Sequence, residues 1–337
     1  MPLSTVSWIG RRQNLPAVKN DCCFLGIDCS AYTSSLALVD REERLVWEGR
    51  KALTVREGSL GLRQSEAVFA HIKNLPLLWE EGASRLENAR LAAVAASVKP
   101  RPVAGSYMPV FKVSEAAGAL IARTLGIHFY TFSHQEGHIA AGLWSSGLPP
   151  GHYLAVHLSG GTTELLSVKA KEGAHLEIDR IGGSSDLHAG QFVDRIGVAM
   201  GLGFPAGPAL EEWACRGRTG AITLPLAVKG TAISFSGPAS HAQRLLERGC
   251  NRHDLARAAE LCIADSLAEA LHAACSAGVY AGILIAGGVA ANAYIRERLL
   301  QRGPGIPLHF ASPAFAGDNA AGLAVLAARR YASMEEM

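Results

Sequence analysis

The apolar residues of this chain come in short continuous runs that end in polar turns, which is typical of buried strands. In the first part of the chain these runs alternate with segments of helical period. The predicted strands lie at 24–28, 36–40, 44–48 and 91–98, and the predicted helices at 65–80, 82–89 and about 109–125. A polar loop at 99–106 separates the last of these strands from the last helix.

The pattern restarts at Gly151 with the same order of strands. A duplicated α/β plan of this kind is that of the actin-like and Hsp70-like (ASKHA) folds, in which two RNase H-like halves bind a nucleotide in an interdomain cleft. We expect a loose arm over 1–20, a first half over 21–133 plus 310–337, and a second half over 134–309. In the second half the predicted strands lie at 153–159, 164–168, 175–181 and 282–286. A mostly helical insert is expected at about 187–217. Helices are expected at 254–277, capped by Asp254, and at 290–300.

Composition and charge favour a folded protein with two cores. The chain has 337 residues, of which 49% are hydrophobic and 18% charged, so it is compact rather than disordered. Its formal net charge of +2 is too small to indicate nucleic-acid binding by charge alone. An RNA partner would therefore need a local basic patch or a second subunit.

Cysteine usage and hydropathy indicate a cytoplasmic protein. The seven cysteines are odd in number and lack a paired Cys-x-x-Cys pattern, so neither a disulfide framework nor a cysteine zinc site is predicted. Arg11-Arg12 is not followed by an apolar run, and no stretch reaches the ~18 apolar residues of a membrane span. We expect a reducing compartment and no membrane contact.

Two histidines four residues apart, His134 and His138, are the strongest candidates for chemistry. Ser133-x-x-Glu136 reads as a capping box, which places both imidazoles on one face of the first turns of a helix. Aligned imidazoles are donors for zinc or iron, and Asp318, in a loop before the last helix, is the candidate third ligand. The alternative is a solvated helix face.

A metalloprotease is not supported by this spacing. Zincins need a glutamate directly after the first histidine, where it reaches the metal-bound water. Here Glu136 comes two positions after His134. At about 100° per residue it lies roughly 200° around the helix and faces away from the metal side.

Three turns rich in glycine, serine or threonine follow predicted strands. In a cleft of the actin-like type, two such loops hold phosphates through backbone N–H groups and a third holds the adenosine. Glycine suits these places because it lets the backbone approach a ligand closely. The candidates occur in the required order, at Asp28 to Ser35, Ser159 to Thr162, and Ala286 to Val289.

The order and spacing of these motifs resemble those of one known family. Over roughly residues 22–330, the chain is similar to the universal tRNA N6-threonylcarbamoyladenosine synthase family (TsaD, also called the glycoprotease or O-sialoglycoprotein endopeptidase family). The matching motifs are Gly26-Ile27-Asp28, His134-x-x-x-His138, Ser159-Gly160-Gly161, Ala189-Gly190, Asp194, Phe204 to Leu210, Phe235-Ser236-Gly237, Gly287 to Asn292 and Asp318 to Ala321.

The resemblance implies a metal-dependent acyl transfer. In the family, the threonylcarbamoyl group moves from threonylcarbamoyl-adenylate to N6 of the adenosine beside the anticodon of tRNA, and AMP is released. It also implies protein partners from a threonylcarbamoylation complex, or a homo- or heterodimer. The implied iron or zinc ligands are His134, His138 and Asp318, and the implied substrate-binding residues are Ser159, Gly160, Gly161, Thr162, Asp194, Gly207, Gly287, Gly288 and Asn292.

Two of these residues have simpler explanations. Asp194 lies next to Arg195 in a helical stretch, and the alternative to substrate binding is that it is a surface residue. Asn292, early in a helix, would then satisfy only backbone groups of its own loop.

Several positions depart from the family's pattern. The first loop, Cys29 to Thr33, lacks the usual acidic pair, and the basic segment Lys99 to Pro102 replaces the usual Gly-Pro-Gly. Asp186-Leu187 has a leucine in place of the second of two paired aspartates. Pro238-Ala239 replaces the usual Leu-Lys. We therefore keep three hypotheses: a tRNA threonylcarbamoyl transferase, a carbamoyl transferase with another acceptor, and a non-catalytic paralogue that binds an adenine nucleotide and partners a complete family member. The intact metal ligands argue against the third, and the missing acidic residues argue for it.

Two further predictions concern single residues. Lys99 and Arg101 are expected to supply positive charge at the cleft rim, to the adenylate or to an RNA phosphate, and the alternative is a solvated basic loop. Strand alternation places His157 on the same face as Ser159, which makes it a candidate fourth metal ligand. The alternative is a histidine hydrogen-bonded within the core.

Overall fold

A computed structural model describes residues 22–54, 62–87 and 89–335, and the predicted arm over 1–20 lies outside them. No helix within the described residues is long and apolar enough to cross a membrane. The strands are β1 (Cys22–Cys29), β2 (Thr33–Asp40), β3 (Leu45–Ala52), β4 (Arg90–Lys99), β5 (His128–Ser133), β6 (Gly151–Leu158), β7 (Thr163–Ala170), β8 (Leu176–Ser184), β9 (Val228–Lys229), β10 (Ala232–Ile233), β11 (Gly282–Ala286) and β12 (Leu308–Phe310). The helices are α1 (Gln64–Ala83), α2 (Phe111–Leu125), α3 (His134–Ser145), α4 (Ala189–Ala199), α5 (Gly207–Ala214), α6 (Ser236–Glu247), α7 (Arg252–Ala277), α8 (Ala293–Arg302) and α9 (Ala321–Glu335).

The first sheet has the strand order β3-β2-β1-β4-β5. Its central strand β1 is buried along its whole length and pairs antiparallel with β2 and parallel with β4. Because successive side chains alternate, Phe24 packs towards α9, whereas Leu25 and Ile27 pack towards α1 and α2. A strand covered on both faces requires the continuous apolar run that the sequence contains.

The second sheet has the strand order β12-β11-β6-β7-β8-β10-β9. Its strand β6 alternates in the same way. Leu154 and Val156 pack into the core with α7, while Tyr153 and Ala155 pack against α3. Both faces of this sheet are therefore covered near β6.

Helices α3 and α9 pack against each other between the two sheets, α9 on β1 and β4 and α3 on β11. Their backbones touch, since a Cβ atom added at Gly322 would lie 1.9 Å from the carbonyl oxygen of Gly137. This contact brings the first turns of α3 beside the loop that precedes α9. Strand β12 joins the second sheet, while α9 packs on the first. The predicted residue bounds of the two halves stay a prediction.

Some predicted elements are wrong in detail. Residues 82–89 are not a separate helix, because α1 ends at Ala83 and the described residues beyond it form a turn in which Glu87 has a φ of 48°. Asn251, rather than Asp254, caps α7, since the Asn251 side chain accepts hydrogen bonds from the N–H groups of His253 and Asp254. The short strands β5, β9, β10 and β12, at or next to sheet edges, were not predicted.

Candidate metal centre and nucleotide cleft

The start of α3 presents two imidazoles side by side. The Ser133 hydroxyl accepts a hydrogen bond from the N–H of Glu136 at 3.1 Å, and the Glu136 carboxylate accepts one from the N–H of Ser133 at 2.6 Å. The predicted capping box is therefore confirmed, and Glu136 serves the helix rather than the metal side. The Nε2 atoms of His134 and His138 lie 3.1 Å apart.

Asp318 completes a group of three candidate ligands. Its Oδ1 lies 3.2 Å from Nε2 of His138 and 3.6 Å from Nε2 of His134. Among the described residues, these three are the group whose ligand atoms all lie within 4.8 Å of one another. Two ligands about 2.1 Å from a tetrahedral ion lie about 3.4 Å apart. The three separations therefore fit a small divalent ion. The three predicted side chains do converge, and metal binding by them stays a prediction.

A second layer of hydrogen bonds orients these ligands. The Nδ1–H group of His134 donates to both carboxylate oxygens of Asp28, at 2.9 and 3.0 Å, which leaves Nε2 turned to the centre. The hydroxyl of Ser30 donates to Oδ2 of Asp318. His71 holds this loop in turn, because its Nε2–H donates to the Ser30 carbonyl at 2.8 Å.

The first loop thus contacts the metal ligands, although the sequence predicted it only as a phosphate loop. The available signal for Asp28 was an acid at the end of a buried strand. That pattern does not predict that the Asp28 carboxylate contacts His134.

The charges of the centre call for a cation. Burial lowers the pKa of His134, but the carboxylates of Asp28 and Asp318 outweigh it and raise this pKa to about 10. Burial raises the pKa of Asp318, and the two imidazoles hold it well below its usual range. A group that favours positive charge between two carboxylates suits a metal ion in place of the extra proton.

His157 lies beside the three ligands but is not one of them by distance. Its ring centroid is 4.8 Å from that of His138, and only 8% of the residue is exposed. Burial is the largest cause of a pKa well below its ordinary value, followed by the positive charges of His138 and His134. The predicted direction of this side chain is right, and its role as a fourth ligand stays a prediction.

The turn between β6 and β7 is the candidate phosphate loop. It is closed by a hydrogen bond from the N–H of Ser159 to the carbonyl of Thr162 at 2.8 Å. Gly160 and Gly161 are exposed, and a Cβ atom added at either would meet nothing within 4 Å. The start of α4 closes the other side, because a Cβ at Gly190 would lie 2.6 Å from Cα of Gly160. The loop therefore has open space on one side and a helix start on the other.

The third glycine turn also lies close to β6. Gly287 has a φ of 106°, and a Cβ there would lie 2.0 Å from the Leu158 carbonyl oxygen, so glycine is required. Gly288 and Gly207, at the start of α5, face open space. These three glycines keep their predicted substrate role as a prediction.

Asp194 and Asn292 both have structural hydrogen bonds. The Asp194 carboxylate accepts from the N–H of Ala206 at 2.7 Å, so it ties α4 to the start of α5. Asn292 caps α8, accepting from the N–H of Ile295 at 2.9 Å, and donates to Glu260 at 2.7 Å. Asn292 does cap the helix, but it also binds the Glu260 side chain, so it does more than satisfy backbone groups, and nucleoside binding by either residue stays a prediction.

Arg101, in the loop between β4 and α2, forms an ion pair across the cleft. Its guanidinium lies 2.8 Å from Oε1 of Glu164, near the start of β7. Arg101 therefore has a specific partner, although half of its side chain is exposed. A ligand for Arg101 and a role for Lys99 stay predictions.

The comparisons with known proteins agree with this geometry. The family model described as "tRNA N6-adenosine threonylcarbamoyltransferase" (TsaD) matches residues 53–325. A protein of that name from Prochlorococcus marinus is 35% identical over 288 residues, covering 79% of this chain and 77% of the relative. Another, from Thermus thermophilus, is 32% identical over 315 residues, covering 91% of this chain and 92% of the relative.

Solved structures confirm the predicted actin-like fold class. The (R)-2-hydroxyglutaryl-CoA dehydratase component A of Acidaminococcus fermentans has a TM-score of 0.55 at 15% identity, covering 92% of this chain and 99% of that one. A ROK hexokinase from Thermus thermophilus has a TM-score of 0.52 at 15% identity, covering 94% and 100%. Likeness at this level of identity shows the fold alone, whereas the family model and the curated relatives cover most of the chain: it belongs to the TsaD family of tRNA N6-adenosine threonylcarbamoyltransferases.

Proposed function

We propose that this chain is an acyltransferase that moves the threonylcarbamoyl group of threonylcarbamoyl-adenylate to N6 of the adenosine beside the anticodon of tRNA, with release of AMP. One observation carries the proposal. In a member of this family, His134, His138 and Asp318 converge within 4.8 Å beside an open glycine loop. Substrate and reaction thus follow from the family together with the geometry of this centre.

The chain's own residues divide the work. His134, His138 and Asp318 would hold an iron or zinc ion, which polarises the acyl carbonyl when bound. The backbone N–H groups of the Gly160-Gly161 turn are candidates to bind the phosphate that leaves. Asp28 keeps the His134 ring in the orientation that the centre needs.

A second candidate, transfer to another acceptor, is favoured by the packing near α4. Leu187 stands where the family has the second of its paired aspartates, and it is buried in the core of the second sheet. The neighbouring Asp186 is occupied by backbone and hydroxyl donors, including the N–H of Phe235 at 3.1 Å and the hydroxyl of Ser234. Neither residue offers a free carboxylate to an acceptor.

The test is incubation of the full chain with threonylcarbamoyl-adenylate, with and without unmodified tRNA, following AMP and the modified nucleoside. We expect AMP release and modified nucleoside only when tRNA is present. Purified His134→Ala should lack stoichiometric iron or zinc and should give neither product. Arg41→Ala, which removes an exposed ion pair with Glu335, is the matched control and should behave as wild type.

The other outcomes separate the hypotheses. Modified nucleoside absent from tRNA, with AMP release stimulated by a different amine, would establish another acceptor. Binding of the adenylate without any AMP release would indicate the non-catalytic paralogue. Stoichiometric metal in His134→Ala would show that the three residues are not the metal ligands.

A further inference from the structure

A buried carboxylate at the edge of the candidate centre holds two arginines. The side chain of Glu164 is only 3% exposed. Its Oε1 lies 2.8 Å from the guanidinium of Arg101 and 3.4 Å from Nε of Arg180, on β8. Its Oε2 accepts a hydrogen bond from Gln135, the residue after His134, at 2.9 Å. Glu164 is thus fully paired, and it fixes both guanidiniums.

The position of this group is set by the β6–β7 ladder. Glu164 lies directly opposite His157 in that antiparallel pair, and residues directly opposite project from the same face of a sheet. That face carries the ring of His157, which packs on the ring of His138. The arginines therefore lie beside the metal ligands rather than on a remote surface.

The charges in this group do not cancel. Two guanidiniums share one carboxylate, which leaves one positive charge over. The side chains of Arg101 and Arg180 are 49% and 53% exposed, and Arg180 also donates to the Ser184 carbonyl at 3.2 Å, so each guanidinium keeps further N–H donors for a ligand. A guanidinium carries five N–H donors in a planar fork that matches a carboxylate. A ligand with a single carboxylate would make the group neutral.

We propose that Arg101 and Arg180 form an anion subsite that binds the carboxylate of the acyl group on the adenylate donor. This rests on the proposed function, because the threonylcarbamoyl group carries a carboxylate beyond the carbonyl that reacts. The phosphate has its own candidate donors in the Gly160-Gly161 turn, which precedes β7 and Glu164 in the chain. An RNA phosphate fits less well, since the buried Glu164 anchors the guanidiniums inside the cleft.

The same inference gives the basic loop a purpose. Lys99 to Pro102 replace the usual Gly-Pro-Gly of the family, and this segment brings Arg101 to Glu164. The loop is tied to α3 by the hydrogen bond from the N–H of Gln135 to the Pro100 carbonyl at 3.0 Å. Arg101 is therefore positioned relative to the helix that carries His134 and His138, so it can fix the distance between the acyl carboxylate and the centre.

The experiment measures binding of three probes to the metal-loaded full chain by calorimetry. They are a hydrolysis-resistant analogue of threonylcarbamoyl-adenylate, the same analogue with its carboxylate changed to a carboxamide, and AMP. We expect wild type to prefer the carboxylate over the carboxamide by about 10- to 100-fold, the range for a charge-assisted hydrogen-bond pair. Arg101→Ala and Arg180→Ala should each reduce this preference at least several-fold and leave the affinity for AMP unchanged.

Two further variants and thermal unfolding distinguish three explanations of a lost preference: the charge of Arg101, the planar shape of its guanidinium, and a general loss of folding. Arg101→Lys should keep part of the preference, since it retains the charge without the planar fork. Arg41→Ala should keep all of it, and thermal unfolding of each variant shows whether it remains folded.

Each remaining result overturns the subsite. If wild type binds both analogues equally and more tightly than AMP, the acyl carboxylate is not recognised there, while the proposed function stands. An equal loss for all three probes in Arg101→Ala would mean that the arginine reads the phosphate or supports the fold. If wild type binds neither analogue nor AMP, the proposed function falls together with the subsite.

Discussion

Replacing Gly322 by alanine tests whether the candidate centre depends on the contact between α3 and α9. The added Cβ atom would lie 1.9 Å from the carbonyl oxygen of Gly137 and 2.7 Å from the backbone nitrogen of Ala141. A carbon–oxygen contact needs about 3.3 Å. Because both neighbours are backbone atoms, no side chain can rotate away, and the helices must separate by about 1.4 Å.

The expected loss in the free energy of unfolding follows from this displacement. Overpacking a well-filled core costs about 1–3 kcal/mol, and a backbone-on-backbone clash belongs at the upper end. For a chain of this length, a loss of about 3 kcal/mol lowers Tm by about 4 °C. The centre should suffer as well, since Gly137 precedes His138 and Gly322 follows Asp318 by four residues, and the 3.2 Å approach of these two ligands spans the same interface. We expect metal affinity to fall at least tenfold.

The assay is thermal unfolding together with a metal-competition titration, both with matched variants. Gly137→Ala lies in the same interface, but its Cβ would meet only the flexible side chain of Leu323 at 3.2 Å, so its losses should be smaller. Gly237→Ala, in α6, meets nothing within 4 Å and should leave both quantities unchanged. If Gly322→Ala matched wild type in Tm and metal affinity, the inferred helix contact would be wrong.

Two further predictions concern carboxylates. Asp28→Asn should weaken metal binding by about 10- to 100-fold, the usual effect of losing a partner that orients a ligand histidine; a chelator competition measures this, and unchanged affinity would exclude the positioning role. Burial raises the pKa of Asp186, but hydrogen bonds from Ser234, the N–H of Leu187, Ser236 and the N–H of Phe235 outweigh it and lower this pKa to about 2. The resulting stability is present above the ordinary pKa of 3.8 and is lost as pH falls through about 2. Asp186→Asn should therefore lower Tm at pH 7 and matter progressively less towards pH 2, whereas a pH-independent difference in Tm would contradict this account.

Local patterns in the sequence predicted the parts of the fold that local interactions decide. The buried run Phe24 to Asp28 and the Ser133–Glu136 capping box each depend on neighbours within a few residues, and both are present. The cap of α7 was misplaced by three residues because Asn251 and Asp254 are both acceptable capping residues. Short edge strands such as β12 have too few residues for a period to show.

The candidate centre was predictable only in its ligands. His134 and His138 carry their own spacing, and Asp318 is an acid in the loop that opens the last helix. The partners Asp28 and Glu164 were not predicted, because their roles depend on which elements adjoin across the cleft. For His157 the period of two predicted the direction of the side chain, and its distance from the three candidate ligands depends on how closely α3 packs on β6.

We expect metal binding at the candidate centre to be coupled to folding. The ligands His138 and Asp318 lie 180 residues apart in the chain, and the contact of α3 with α9 brings them together. A metal that binds only the assembled centre stabilises the folded state by about 2.7 kcal/mol at a hundred times its dissociation constant. At the same metal concentration, the tenfold weaker binding expected for Gly322→Ala reduces this stabilisation to about 1.4 kcal/mol, so the metal should widen the difference in stability between the variant and wild type. The glycine pair at the helix contact therefore positions the candidate centre, although neither glycine is one of its three candidate ligands.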